Sequence, residues 1–122
     1  MDQELAQIVE GFKKVATASI SDAIDRVTSQ RGFMSHEVKP IFPAKIAGPA
    51  VTILNKPSLK HTPPVEVMKA TDEAEPGSVL VIVVEDGADI TGWGGLFTAG
   101  AVARGLAGTV VDGGCRDVVE IE

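Results

Sequence analysis

Six consecutive apolar residues, Val79 to Val84, constrain this chain more than any other feature. Val79, Leu80, Val81, Ile82, Val83 and Val84 are mostly β-branched and do not alternate with polar residues. Such a run suits a strand buried on both faces of a mainly parallel sheet. After it come the segment TGWGGLF, an Ala-rich stretch over Leu96–Arg104 with Gly105 placed to end a helix, and a second apolar run, Thr109–Val111. The pattern predicts strand, helical crossover and strand, hence an α/β fold. Two such strands in one sheet run parallel, joined by a right-handed connection.

That topology brings both loops that follow the strands, Glu85–Gly95 and Asp112–Asp117, to one sheet edge. Ligands of open α/β sheets bind outside the carboxyl ends of the strands. Asp86, Asp89, Asp112, Arg116 and Asp117 are therefore expected to converge. Gly92, Gly94 and Gly95 allow close backbone approach. The helix starting near Gly95 turns its free amides to the same place, which favours an anion.

The 122 residues suffice for one domain with a modest core, expected to span 1–122. Aromatic residues make up only 4%, so Val, Ile, Leu and Ala must build that core. A net charge of -6 argues against a nucleic-acid surface. No apolar run is long enough to span a bilayer, and no basic, apolar N-terminal signal is seen. The single cysteine, Cys115, excludes an internal disulfide and fits a reducing cytosol, so a cytoplasmic location is expected.

From the N-terminus, Asp2–Val15 reads as an amphipathic helix with Leu5, Ile8, Val9, Phe12 and Val15 on one face. Thr17–Val27 reads as a second helix, in which Ser19 and Asp22 resemble a capping box. The segment 29–45 is irregular and holds His36, with no Cys or second His nearby to suggest a metal. Ile46–Leu54 is expected to be a strand, restricted by Pro49 to an edge, a bulge or a strand start. Thr62–Ala74 is expected to be a helix capped by Thr62, with His61 just ahead of the cap. Pro76-Gly77 is a turn.

Several chemistries drop out. The sequence has no phosphate-loop motif, no HExxH and no paired-Cys zinc spacing. Gly92-Trp93-Gly94 begins like a dinucleotide fingerprint, but Phe97 stands where its third glycine belongs. Cys115 beside Arg116 has no local His to act as a base, so filling a tight turn describes it better than nucleophilic catalysis. Arg116-Asp117 remains the sharpest pair. Arg presents a planar fork for a carboxylate, and Asp a hard oxygen for Mg²⁺ or Mn²⁺. A helix beginning near Asp117 places Glu120 on the same face, as a direct or water-mediated ligand. The same residues also describe an ordinary surface Arg–Asp pair at a helix start, which composition alone favours.

The stretch WGGLFTAGAVARGLAGTVVDGGCRDVVEI resembles the signature of the RraA-like family. SISDAIDRV resembles that family's early helix, AGPAVTI its first sheet strand, and EPGSVLVIV its strand before the glycine loop. The family includes 4-hydroxy-4-methyl-2-oxoglutarate / 4-carboxy-4-hydroxy-2-oxoadipate aldolases, oxaloacetate-decarboxylating relatives and regulators of ribonuclease E activity. Some members carry an older label as demethylmenaquinone methyltransferases. The resemblance implies a swivelling β/β/α fold, trimers or assemblies of trimers, and a divalent metal cation. It implies that Arg116 binds the pyruvate-like carboxylate and carbonyl, and that Asp117 ligates the metal. The glycine loop Gly94-Gly95 and the backbone amides of Leu96 and Phe97 would then hold a substrate carboxylate. Retro-aldol cleavage or oxaloacetate decarboxylation through a metal-stabilised enolate of pyruvate follows, with a non-catalytic regulator of ribonuclease E as the alternative. Two departures stand out. Gly95 replaces an acidic residue of the aldolase type, in a subgroup pattern that Glu120 fits. The chain also stops at Glu122, inside a helix after which the family's domain continues, so a truncated C-terminus is expected.

Overall fold

The computed structural model describes residues 1–56, 58, 63–87 and 90–122. They form two compact units, Met1–Lys39 and Pro40–Glu122. The expected cap Thr62, together with His61 and Asp89, lies outside the described residues.

The first unit holds two helices, α1 (Gln3–Lys13) and α2 (Thr17–Thr28). Asp2 caps α1, its Oδ1 accepting from the Leu5 N–H at 2.8 Å. The apolar stripe is present, but only Val9 is buried; Ile8 and Phe12 line an open apolar groove together with Ile20 and Ile24 of α2. The expected capping box at Ser19 does not form. The helix already begins at Thr17, with Ala16 at the cap position, so Ser19 lies inside the first turn. Ser29 ends α2 in the left-handed region, its N–H bonded to the Asp25 carbonyl.

The second unit is α/β, as its sequence predicts. Strand β2 (Val79–Val84) lies between β1 (Ala50–Asn55) and β4 (Gly108–Asp112), parallel to both. Between β1 and β2 comes α3 (Val65–Glu73), and between β2 and β4 come a short strand β3 (Thr91–Trp93) and α4 (Gly95–Arg104). Leu80 and Ile82, which share one face of β2, have no accessible surface, while Val81 and Val83 on the other face are half-buried, so the strand is fully covered on one face and partly on the other. Val51, Ile53, Phe97, Leu106 and Ile121 pack around the cluster they form with Ala74, Trp93 and Ala101.

The first strand is shorter than Ile46–Leu54. It starts at Ala50, because Pro49 has no N–H for the ladder, although the Pro49 carbonyl still accepts from Val79 N–H at 2.8 Å. Helix α3 likewise starts later than expected, after Pro63 and Pro64. Gly105 ends α4 at φ 75°, its N–H bonded back to Ala101 and Val102 carbonyls. Arg104 Nε donates to the Ala74 carbonyl at 2.8 Å and so fastens the end of α4 to the end of α3.

One feature of the sheet edge was not expected. The loops after β2 and β4 contain β3 and β5 (Gly114–Cys115), which pair in parallel as a second, two-stranded sheet. A four-residue helix, α5 (Val118–Ile121), follows.

Truncating Ile82 to Ala should cost about 2–5 kcal/mol, from lost burial plus the cavity left behind. Val27, 84% exposed on α2, should tolerate the same change within about 0.5 kcal/mol. Urea midpoints of the two variants check the contrast; equal midpoints would remove β2 from the centre of the core.

Candidate active site

The site is built where β5 ends and α4 begins. The β3–β5 pairing continues one step beyond β5, with Arg116 N–H donating to the Trp93 carbonyl at 3.1 Å. Arg116 is thereby laid beside Gly94, the cap residue of α4. Asp117 then turns left-handed, at φ 59° and ψ 34°, a region that Asp tolerates better than most residues. That turn brings its carboxylate back over the helix start. Its Oδ2 accepts from the Gly95 N–H at 3.0 Å and lies 3.8 Å from Arg116 Nε. The carboxylate thus sits at the positive end of α4's dipole.

The glycine wall has a steric reason. A Cβ on Gly94 would stand 3.1 Å from both Arg116 Cγ and Asp117 Oδ2, closer than such atoms normally approach. A Cβ on Gly95 would meet Asp117 Cβ and Oδ2 at 3.5 Å, an ordinary contact. A side chain at position 94 would therefore push the pair aside by a few tenths of an ångström, and one at position 95 would not.

Arg116 is 73% and Asp117 46% exposed, so both face solvent. Among the described residues no acceptor meets the amides of Leu96 and Phe97, which as early helix positions have no partner within α4. The Leu96 side chain is exposed, whereas the Phe97 ring stacks on Trp93 with centroids 5.5 Å apart. Thr98 closes the first turn. Its hydroxyl donates to the Gly94 carbonyl at 3.0 Å and accepts from Trp93 Nε1–H at 2.8 Å.

The five-residue convergence expected from the sequence is not seen in full. Arg116 and Asp117 come together with Gly94, Gly95 and the start of α4. Asp86 sits in a 3₁₀ turn after β2, and exposed Asp112 ends β4. Among the described residues no three His, Cys, Asp or Glu side chains gather to hold a metal ion. Between Asp112 and Asp117 the chain runs through β5 rather than an open loop. Glu120 is exposed on α5 and joins no such group. The donor set is still compatible with Mg²⁺, which keeps several waters and needs only one or two carboxylates. Asp117 would supply one.

Cys115 is half-buried in β5 against the core, and its Sγ lies 3.7 Å from the Arg116 carbonyl. Burial pushes the thiol above its ordinary range, and the Asp117 carboxylate adds to the effect. The thiol is thus held protonated, in agreement with its reading as a packing residue. Sequence reasoning overlooked Trp93 and Thr98; the only available signal was a lone tryptophan among glycines.

A family model described as "RraA-like: Aldolase/RraA" matches residues 17–122, and the chain belongs to that family. It is 38% identical over 107 residues to Protein DlpA of Legionella pneumophila, covering 86% of this chain and 17% of that protein. It is 31% identical over 119 residues to a Halalkalibacterium halodurans protein named "Putative 4-hydroxy-4-methyl-2-oxoglutarate aldolase", covering 97% of this chain and 53% of that one. Among solved structures it resembles Streptomyces coelicolor RraAS2, described as an unusual member of the RNase ES inhibitor RraA protein family. That match has a TM-score of 0.78 and 27% identity, and covers 98% of this chain and 59% of the other. The chain therefore spans little more than half the length of the aldolase-named relative, and far less of DlpA. The α/β fold is that of the family. No helix among the described residues is long and apolar enough to cross a membrane.

Two outcomes follow from this geometry. Gly94→Ala should displace the Arg116 and Asp117 side chains while Gly95→Ala leaves them in place, with both variants folded. Chemical shifts of the Gly95 and Arg116 amides check this. The Cys115 thiol should alkylate with iodoacetamide more slowly at pH 8 in the folded chain than in urea. The folded state favours the protonated form, so any stability gained there is present below the ordinary thiol range. It is lost as pH rises through the raised pKa, and the folded chain's alkylation rate should climb over that same window.

Proposed function

We propose that this chain carries the 2-oxo-acid site of a divalent-cation-dependent lyase acting on 4-hydroxy-4-methyl-2-oxoglutarate-type substrates, on oxaloacetate, or on both. One observation carries the reading. A guanidinium and a carboxylate stand side by side over the amide-rich start of α4, on a wall kept clear by Gly94. Family membership and the name of the Halalkalibacterium relative support it.

In this reading Arg116 clamps the 2-oxo carboxylate with its planar fork, for which Lys is a poor substitute. The amides of Leu96 and Phe97 hold the oxygen on which negative charge grows as the bond beyond the keto carbon breaks. Preorganised amides at a helix start suit such a developing charge. A divalent cation held by Asp117, with Glu120 joining directly or through water, would supply Lewis-acid polarisation of the keto group. Retro-aldol cleavage and oxaloacetate decarboxylation both leave the enolate of pyruvate, so one site serves either. A homotrimer would give this exposed site a neighbouring subunit to shield it, and a cytoplasmic enzyme acting on central 2-oxo acids fits the reading. A second reading, a protein-binding regulator of a ribonuclease, is favoured by the likeness to RraAS2 and by the exposed apolar Leu96 and Val119.

The test is pyruvate release from both substrates, with Mg²⁺ and with chelator, corrected for metal-driven decay of oxaloacetate without protein. Arg116→Ala should lower kcat/KM by about 100-fold or more, the scale on which loss of one charge-stabilising group is felt. Asp117→Asn should abolish the dependence on Mg²⁺. Release that is unaffected by both substitutions would reject the lyase and leave the regulator.

A further inference from the structure

We infer that Trp93 and Thr98 are positioning residues that hold the two halves of this site in register, an inference that rests on the lyase reading. Trp93 is 4% exposed, and its ring belongs to the core cluster. Packing accounts for the ring but not for its polar edge. An indole can only donate, so a buried tryptophan needs an acceptor. Here the acceptor is the Thr98 hydroxyl at 2.8 Å, in the first turn of α4.

That hydroxyl has a single hydrogen, and its direction is determined by its neighbours. It accepts from the indole, so it donates to the Gly94 carbonyl at 3.0 Å. Gly94 is the residue whose missing side chain leaves room for Arg116 and Asp117. On its other side, the Trp93 backbone carbonyl accepts from Arg116 N–H at 3.1 Å. Its ring also stacks on Phe97, whose amide belongs to the helix start. One residue therefore holds the guanidinium-bearing backbone through its carbonyl and the helix start through its ring. Neither Trp93 nor Thr98 reaches the place where substrate would sit. They act through Arg116, Gly94 and the amides of α4, where a displacement of about 1 Å is enough to cost about 100-fold in rate.

Three substitutions separate positioning from packing. Thr98→Val keeps the shape but can neither accept nor donate. Thr98→Ser keeps both bonds. Thr98→Ala removes the hydroxyl with a residue that favours helix, so the test survives if valine fails to fold. The protein has one Trp and no Tyr, so a single indole N–H resonance and a single emitting side chain report on Trp93.

In the ligand-free protein, valine and alanine should speed solvent exchange of the indole N–H, and of the Arg116 amide with it, by about tenfold or more. Serine should restore both rates. In the pyruvate-release assay, valine and alanine should lower kcat and kcat/KM together by about 10- to 100-fold, again with rescue by serine, because the lost contacts count in the transition state. An indole that exchanges fast while the Arg116 amide and kcat stay at wild-type values would overturn the inference, leaving Trp93 as core alone. So would a serine variant as impaired as valine. If the wild-type chain releases no pyruvate, the activity arm gives no readout and the same assay on a chain of the relatives' length decides the lyase reading. The coupled loss of indole and Arg116 protection in the ligand-free chain then decides the inference independently.

Discussion

Leu80 and Ile82, on one face of β2, are wholly removed from water, and a strand so buried and paired in parallel along both edges is the constraint on which the rest of the second unit depends. A strand paired on both sides in parallel cannot be reached by tight hairpins. Its neighbours must arrive by crossovers, and helices make those crossovers, with α3 joining β1 to β2 and α4 joining β2 to β4. Because β2 and β4 run the same way, each releases its chain at the same edge. The start of α4 and the residues following β4 are thus brought together by topology before any side chain at the edge makes a bond.

Topology does not by itself place Arg116 and Asp117. The short β3–β5 ladder does that, through the bond from Arg116 N–H to the Trp93 carbonyl. Asp117 then adopts a left-handed backbone, which costs a non-glycine residue about 1–2 kcal/mol. What it gains locally is modest. An exposed ion pair of 3.8 Å is worth about 0–1 kcal/mol. One hydrogen bond to a helix-start amide adds a comparable amount. A residue held in a costly conformation for a roughly equal return fits placement better than stability. The observed outlier is what motivates a functional reading of the pair.

Much of this framework was legible in the sequence, and the reasons differ from residue to residue. The unbroken run Val79–Val84 gave β2 to the residue, and Gly105 marked the end of α4 because only a left-handed residue closes a helix that way. The pair Arg116-Asp117 was legible from its chemistry. Strands β3 and β5 were not. They are short, glycine-containing segments without periodicity or propensity, and they exist as strands only because each finds the other. The segment Asp112–Asp117, read from the sequence as an open loop, therefore hid a strand. The Trp93–Thr98 bond was invisible for another reason. A tryptophan among glycines looks like a damaged nucleotide fingerprint until the fold shows which hydroxyl its indole meets.

Gly95 bears on the chemistry more than on the fold. The space beside it is open enough for a side chain, with Asp117 at ordinary contact distance from where a Cβ would stand. An acidic residue there, as the aldolase type is expected to carry, would set two carboxylates against each other. One of them would then hold a proton near neutral pH, because like charges at such separations resist joint ionisation. Glycine removes that means of storing a proton next to the substrate. In this chain Asp117 Oδ2 accepts from the Gly95 N–H and offers a hard oxygen of the kind a divalent cation takes. A lyase built on this site must therefore protonate its enolate from water or from a group beyond the glycine wall. Decarboxylation makes the lesser demand here, since it forms the enolate without first removing a proton from a substrate hydroxyl, as retro-aldol cleavage requires. Under the proposed lyase reading, a glycine at position 95 would on this ground favour oxaloacetate over the branched hydroxy acid.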